Sequence, residues 1–137
     1  MKLGYVDKNN EFQTASSVAL RNLLHTTREE DIRKASYEGL RSIGPFVCEN
    51  GFTEIIKLRN QLAKKLGFED YYDYTVTNAE GFGKAKLFEI LDELEESTRP
   101  LMVKGREALK ERYGDQALEP WNMVYMMAGS VIKKMVR

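Results

Sequence analysis

Histidine and cysteine, two of the residue types that bind zinc, are scarce in this chain. It has one histidine, His25, and one cysteine, Cys48, among 137 residues. His25 and Glu29 have the i, i+4 spacing of two ligands on a helix, but the H-E-x-x-H motif of zinc enzymes needs two histidines one turn apart. A solvated histidine near the end of a helix is the favoured interpretation. We therefore expect no metal ligand in this chain.

Four carboxylates recur on one side of a predicted helix, where they could hold a hard cation or transfer protons. They are Glu89, Asp92, Glu93 and Glu96. No Glu-x-x-His sequence accompanies them to complete a di-iron site. Apolar residues lie on the opposite side, at Phe88, Leu91 and Leu94. The pattern is typical of a solvated acidic helix face.

Two further candidates lack the partners that their chemistry needs. Gly81-Phe82-Gly83-Lys84 has the Gly-Lys of a phosphate-binding loop, but Asn78 and Ala85 stand where that loop has Gly and Ser or Thr. Cys48 has no nearby histidine to activate it, so we expect a buried thiol that packs as a small apolar group. The sequence predicts no catalytic and no cofactor-binding residue.

Two aromatic groups could line a peptide-binding groove or pack in the core. One is Tyr71-Tyr72 with Tyr74, and the other is Trp121 with Tyr125 beside Met123, Met126 and Met127. Aromatic and methionine side chains make adaptable contacts with ligands. Their helical spacing favours core packing for both groups.

The elements that must position these residues are mostly helical. Residues 2–14 predict a small hairpin around a turn at Asp7-Lys8-Asn9-Asn10. Thr27 and Glu30 have the spacing of a capping box at the start of a second helix. Later apolar patterns predict further helices, with a kink or a break at Pro100 and a last helix from Pro120. The expected fold is a bundle-like array of about five or six helices with an N-terminal β-hairpin, in a single domain over residues 1–137.

Composition excludes several classes of partner. The 21 Lys and Arg balance the 21 Asp and Glu, so no net field attracts nucleic acid or anionic lipid. No apolar run approaches the roughly 20 residues of a membrane helix, and the N-terminus has no apolar segment typical of secretion. With 42% hydrophobic and 31% charged residues the chain can form a core. We expect a cytoplasmic protein without nucleic-acid or membrane partners.

Residues 52–74 resemble part of a known enzyme family. A helix with the pattern R-x-x-x-A-x-x-x-G-[YF], followed by a turn containing tyrosine, is found in the thimet oligopeptidase and oligoendopeptidase F family of zinc peptidases. The matching residues here are Arg59, Ala63, Gly67, Phe68, Tyr71 and Tyr74. That family also opens a later helix with Pro-Trp-Asp ahead of a tyrosine, and here Pro120-Trp121-Asn122 precedes Tyr125. Asn122 departs from the usual aspartate.

The resemblance implies a non-catalytic helical part of a zinc-dependent oligopeptidase that hydrolyses peptides as the full-length protein. In the family the zinc ligands belong to an H-E-x-x-H helix and a later glutamate, which lie downstream of the matched segment. No catalytic or metal residue therefore carries over, and the chain alone is expected to be inactive. Zinc and a peptide substrate are implied for the full-length protein only.

Two partner hypotheses follow from this resemblance. The chain would bind the missing catalytic half, or it would self-associate through its last helix, which is rich in methionine at Met123, Met126, Met127 and Met135. The alternative to a peptidase part is a stand-alone α-helical interaction module that binds a partner helix or peptide.

Overall fold

The chain is mostly helical and begins with a short hairpin, as its sequence predicts. A computed structural model describes residues 2–135, with side chains described for residues 2–127. Six helices in this part have ten or more residues. The elements are β1 (Gly4–Val6), β2 (Phe12–Thr14), α1 (Ser17–Thr26), α2 (Glu30–Arg41), α3 (Ile43–Val47), a π-helical segment (Cys48–Phe52), α4 (Thr53–Lys65), α5 (Tyr71–Glu80), α6 (Lys84–Tyr113), a 3-10 turn (Asp115–Leu118) and α7 (Pro120–Met135).

The described chain divides into two compact units. Unit 1 comprises Met1–Phe46 and Gly105–Arg137, and unit 2 comprises Val47–Lys104. The assignment of residues 1–137 to a single domain stays a prediction. No helix among the described residues has both the length and the apolarity required to cross a bilayer.

The hairpin of unit 1 packs on α2. Its strands pair antiparallel with Gly4 opposite Thr14, and Asp7 closes the turn because its carboxylate accepts from the backbone N–H groups of Asn9 and Glu11 at 2.9 and 3.0 Å. A Cβ placed on Gly39 of α2 would collide with the carbonyl oxygen of Gly4. Glycine at position 39 therefore allows the close approach of strand and helix. An isolated hairpin is marginal in water, so this contact stabilises it.

Helices α1, α2 and α7 pack against one another in unit 1. Leu20 of α1 is fully buried. Ser16 caps α1 by accepting from the backbone N–H of Ala19 at 3.1 Å. The predicted capping box at Thr27 is wrong, since α2 starts after Glu29 without a side-chain cap and Thr27 ends α1. The Glu30 carboxylate binds α7 residues instead.

Unit 2 is built on α4 and α5. The N–H groups of Gly67 and Phe68 donate to the carbonyls of Lys64 and Ala63, with Gly67 at φ 87°, which is the Schellman ending that a glycine here predicts. Asp70 then caps α5 by accepting from the Asp73 N–H at 2.9 Å. Ala63 and Val76 are the buried apolar residues of this unit within the described part of the chain.

Helix α6 is continuous over 30 residues and contains Pro100. Of the two outcomes expected at Pro100, a break into two abutting helices is therefore wrong, because the loss of one backbone hydrogen bond does not end a helix whose neighbouring turns keep theirs. A kink at Pro100 stays a prediction. Gly114, at φ 84°, follows the helix where the sequence predicts its end. Pro120 is the first residue of α7, also as predicted.

Residues between α3 and α4 depart from the predicted burial. Cys48 is exposed, so the expectation of a buried thiol is wrong. It starts the π-helical segment, in which Asn50 and Gly51 have non-helical dihedral angles. The side chain of Met135, named above among the methionines of the last helix, lies outside the described residues.

Candidate functional site

The most buried polar cluster of the described residues joins α2 to α7. Arg33 of α2 is 2% exposed and Asn122 of α7 is 0% exposed. Arg33 Nη2 and Nε donate to Asn122 Oδ1 at 2.6 and 3.0 Å. Arg33 Nη1 donates to the carbonyls of Thr27 and Arg28 at 2.9 and 2.8 Å. The buried guanidinium therefore binds three acceptors, which offsets much of the cost of removing its charge from water.

Asn122 uses both ends of its amide in this cluster. Its Nδ2 donates to Glu30 Oε1 at 2.8 Å and to the carbonyl of Gln116 at 2.9 Å. Because Arg33 only donates and a carboxylate only accepts, the group between them must do both. Asparagine meets this requirement and aspartate does not. The departure from the family's aspartate thus has a local physical reason.

Glu30 also fixes the indole at the start of α7. Trp121 Nε1 donates to Glu30 Oε1 at 3.0 Å. The hydrogen bonds from Trp121 and Asn122 hold the pKa of the Glu30 carboxyl below its usual range, and the nearby charges of Arg33 and Lys34 act in the same direction. The carboxylate is therefore ionised wherever the fold is intact near neutral pH.

Aromatic contacts complete the cluster. The Arg33 guanidinium lies 4.2 Å from the ring centroid of Tyr125, and the Lys34 ammonium lies 5.2 Å from that of Trp121. The Tyr37 and Trp121 rings are 5.9 Å apart. The second aromatic group of the sequence is thus half-buried packing between two helices. Its polar groups bind one another, so the cluster stabilises the junction of α2 with α7 and presents no reacting atom.

The first aromatic group divides between packing and an open groove. Tyr74 packs against Phe68 with ring centroids 5.2 Å apart. Tyr71 and Tyr72 line a shallow cavity of about 430 Å³ on unit 2, together with Ile56, Arg59, Asn60 and Thr75. Arg59 lies 5.1 Å from the Tyr71 ring, and Asn60 Oδ1 accepts from the Tyr71 N–H at 3.0 Å. The peptide-groove interpretation of Tyr71 and Tyr72 therefore stays open.

A second shallow cavity, of about 390 Å³, lies in unit 1 between α7 and the last turns of α6. Met126 and Met127 line it from α7, and Gly105, Ala108, Leu109, Arg112 and Tyr113 line it from α6. Met123 lies nearby, with its sulfur 3.8 Å from Arg106 Nη1. The described methionine side chains of α7 therefore lie in or near a small apolar depression.

The glycine-rich segment before α6 is part of an ion-pair cluster. Lys84 Nζ binds Asp70 Oδ2 at 2.5 Å and Glu69 Oε1 at 2.9 Å, while the Lys84 N–H donates to Asp73 Oδ1 at 3.1 Å. The cation that a phosphate would need is paired with carboxylates. Hydrogen bonding from Lys84 lowers the pKa of Asp70, and the hydrogen bond to Asp70 raises the pKa of Lys84.

The other candidate residues are apart or exposed. His25 lies in the last turn of α1, whereas Glu29 precedes α2. The acidic row of α6 is solvent-exposed, and Lys86 Nζ pairs with Glu89 Oε2 at 2.7 Å. Among the described residues, no three His, Cys, Asp or Glu side chains are grouped as metal ligands. This donor set does not fit a zinc site.

Sequence reasoning missed Arg33 and the role of Glu30. Charged residues near the start of a helix normally face solvent, and Glu30 has the spacing of a cap with Thr27. The available signal was the i, i+3 pair of Glu30 and Arg33 on one face of α2. The pairing of that face with Asn122, 89 residues away, is a long-range contact that local spacing does not encode.

Comparison with known families identifies the chain. The family model described as peptidase family M3 matches residues 23–134. The chain belongs to peptidase family M3. No curated protein and no solved structure gives a significant match.

The residues that carry the family M3 resemblance have identifiable structural roles. Ala63 is fully buried, Gly67 has the positive φ that ends α4, and Phe68 packs on Tyr74. Arg59 packs on the Tyr71 ring. Trp121 and its neighbour Asn122 bind α2 through Glu30. The shared motifs therefore encode helix endings and helix contacts.

Proposed function

We propose that this chain is the non-catalytic helical part of a zinc-dependent oligopeptidase and does not hydrolyse peptides alone. The observation that carries the proposal is the family M3 match over residues 23–134. The motif residues support it, because they end helices and join them. A helical wall beside the substrate channel of the full-length enzyme is the role that the resemblance implies.

The proposal assigns zinc to a part of the enzyme outside this chain. Zinc in such enzymes activates a water molecule for attack on the peptide carbonyl. His25 is exposed at the end of α1, and the described residues contain no group of three or more ligand side chains that includes it. The residues of this chain would contribute packing and, through Tyr71 and Tyr72, an apolar surface for a peptide.

A peptidase assay tests the proposal directly. The purified chain is incubated with a quenched fluorescent peptide and zinc, and bound zinc is measured on the same sample, with His25→Ala as the matched control. We expect no cleavage and no stoichiometric zinc in either protein. Chelator-sensitive cleavage that is lost in the control would refute the proposal and make His25 a ligand.

We further propose that the partner of this chain is the catalytic part of the same enzyme. Unit 2 exposes much apolar surface on α4, where Leu58 is 63% and Leu62 51% exposed. Large exposed apolar patches mark interaction sites. The encoding gene beyond Arg137 offers an inexpensive test. An H-E-x-x-H motif there would support the enzyme, whereas a stop codon would favour the stand-alone interaction module.

Self-association through α7 is the competing proposal for the same kind of surface. Met127 of α7 is 57% exposed, and a two-fold dimer is the commonest way to cover such a face. Sedimentation of the wild-type chain, Met127→Lys and the α4 control Leu58→Lys separates the two surfaces. A dimer lost in Met127→Lys alone would support association through α7. A strict monomer in all three would refute it.

We propose a cytoplasmic location. The exposed thiol of Cys48, the single cysteine of the chain, supports it because exposed free thiols persist in reducing compartments. Maleimide labelling in freshly lysed cells should modify Cys48 without prior reduction. Labelling only after a reductant is added would contradict the proposal.

A further inference from the structure

The segment between α3 and α4 contains the one Asn-Gly pair of the sequence, Asn50-Gly51. Both residues have non-helical dihedral angles, with Asn50 at φ −107°, ψ 39° and Gly51 at φ 93°, ψ 0°. Residues 46–59 are exposed. A Cβ built on Gly51 would meet no atom within 4 Å. Both residues therefore depart from regular helix geometry, and there is open space beside the Cα of Gly51.

An asparagine side chain can react with the backbone nitrogen of the residue that follows it, and these features favour that reaction here. The backbone nitrogen of residue 51 must reach Cγ of Asn50, and a side chain on residue 51 would obstruct that approach. Glycine has no such side chain and reaches a wider range of dihedral angles. Inside an α-helix the same nitrogen is held in the hydrogen-bond ladder and directed away from the side chain. The dihedral angles of Gly51 depart from that geometry.

We propose that Asn50 is a site of spontaneous deamidation. A solvent base removes the proton from the Gly51 nitrogen, which attacks Cγ of Asn50 and forms an N–Cγ bond. The Cγ–Nδ2 bond breaks and ammonia leaves, giving a five-membered succinimide. Water then opens the ring. Opening at Cγ gives aspartate, and opening at the backbone carbonyl gives isoaspartate, in which the chain continues through the side chain.

The modification would change the charge and the backbone of the segment that precedes α4. It places a negative charge three residues before Thr53, the first residue of α4, where the helix dipole favours an anion. The isoaspartate product also adds a methylene group to the backbone of the π-helical segment. Cys48, two residues away, is exposed on the same segment, so its thiol-labelling rate offers a second readout of the altered backbone.

Incubation of the folded chain at mildly alkaline pH, followed by peptide mapping, tests the proposal. Mass spectrometry detects loss of the amide, and chromatography separates the aspartate and isoaspartate peptides. We expect residue 50 to convert before the other asparagines, including the helical Asn22 and Asn78. Asn50→Gln should abolish the early release of ammonia, because its longer side chain forms the ring more slowly. Conversion that begins at another asparagine would overturn the proposal.

The same incubation in urea separates the contribution of the fold from that of the sequence. Because residues 46–59 are exposed and the backbone at Asn50 and Gly51 already departs from helix geometry, we expect local opening to cost little free energy, so the folded and unfolded rates at Asn50 should agree within roughly a factor of three. A folded rate far below the unfolded rate would mean that the structure protects Asn50, and the proposal would fail.

Discussion

Replacing Asn122 by aspartate tests the assignment of the buried cluster between α2 and α7. The new carboxylate still accepts from Arg33, but it cannot donate to Glu30 Oε1 or to the Gln116 carbonyl, now 2.8 and 2.9 Å away. Each lost hydrogen bond costs about 1 kcal/mol. Repulsion from Glu30 adds about 1 kcal/mol, since Glu30 is exposed and screened.

Attraction between the new carboxylate and Arg33 offsets part of this loss of stability. We therefore expect Asn122→Asp to lower the free energy of unfolding by about 1–3 kcal/mol near neutral pH. Asn122→Ala should cost more, about 3–5 kcal/mol, because the charge of Arg33 would lose its buried acceptor. The control is Ser36→Ala, which removes a fully buried hydroxyl that has no hydrogen-bond partner among the described residues. The free energy of unfolding of Ser36→Ala should lie within about 1 kcal/mol of that of the wild type.

Urea unfolding followed by tryptophan fluorescence is a suitable assay, because Trp121 is the single tryptophan of the chain and belongs to the cluster. The double variant Asn122→Asp with Glu30→Gln should be less destabilised than the sum of the single variants, by about 1 kcal/mol or more, since glutamine can donate to the new carboxylate. Wild-type stability or better in Asn122→Asp near neutral pH would refute the assigned role of the Asn122 amide.

The pH dependence supplies an independent check of the same cluster. In the wild type the folded pKa of Glu30 is lowered. Its stabilisation is therefore present above the unfolded pKa and is lost as the pH falls through the folded value. In Asn122→Asp, the Glu30 carboxylate and the new carboxylate repel each other, and this repulsion raises the folded pKa at which the pair takes up a proton. Acidification therefore relieves the repulsion. The stability difference between the two proteins should narrow on acidification, and a widening difference would contradict the reasoning.

Three further predictions concern other contacts. Gly39→Ala should destabilise unit 1 by about 1–3 kcal/mol in urea unfolding, because its Cβ would collide with Gly4. The control Gly105→Ala should not destabilise the protein, because there is open space beside Gly105. Asp70→Asn should keep the α5 cap but lose the Lys84 ion pair. Since the folded pKa of Asp70 is lowered, its stabilisation is lost as the pH falls, so the variant's unfolding midpoint should depend less on acid. Pro100→Ala should raise helicity and stability, by up to about 3 kcal/mol, in thermal unfolding followed by circular dichroism. An unchanged or lower midpoint would contradict that effect.

Local chemistry predicted several helix boundaries. Gly67 and Gly114 adopt a positive φ just after a helix ends. Pro120 is the first residue of a helix, where its missing N–H is not needed. Each preference belongs to a single residue, so the local sequence is enough to predict it. The assignment of Thr27 and Glu30 to a capping box failed for the opposite reason. A carboxylate that satisfies a local spacing can bind distant donors instead, and Trp121 lies 91 residues from Glu30.

Burial was the property least accessible from sequence. Apolar periodicity on α4 and α6 indicates a face that needs cover, yet Leu62 and Leu94 are more than half exposed. Periodicity identifies the face that is suited to burial but not the surface that covers it. Arg33 is the converse case, since a charged residue is buried where an asparagine and two carbonyls receive its hydrogen bonds.

The composition of α6 explains how a helix without a buried residue stays ordered. Residues 84–98 carry two cations and five carboxylates, a net charge of −3, and residues 99–113 carry five cations and two carboxylates, a net charge of +3. In the last turn, Lys110 and Arg112 interact favourably with the carbonyl end of the helix dipole, whereas the first turn has no acidic residue. Ion pairs about one turn apart, Lys86–Glu89 and Glu95–Arg99, add local stabilisation along the helix. A surface that is already ordered has little conformational entropy left to lose on association. A partner that covered the exposed apolar side chains of α6 would therefore meet a helix that is already formed, without a coupled folding step.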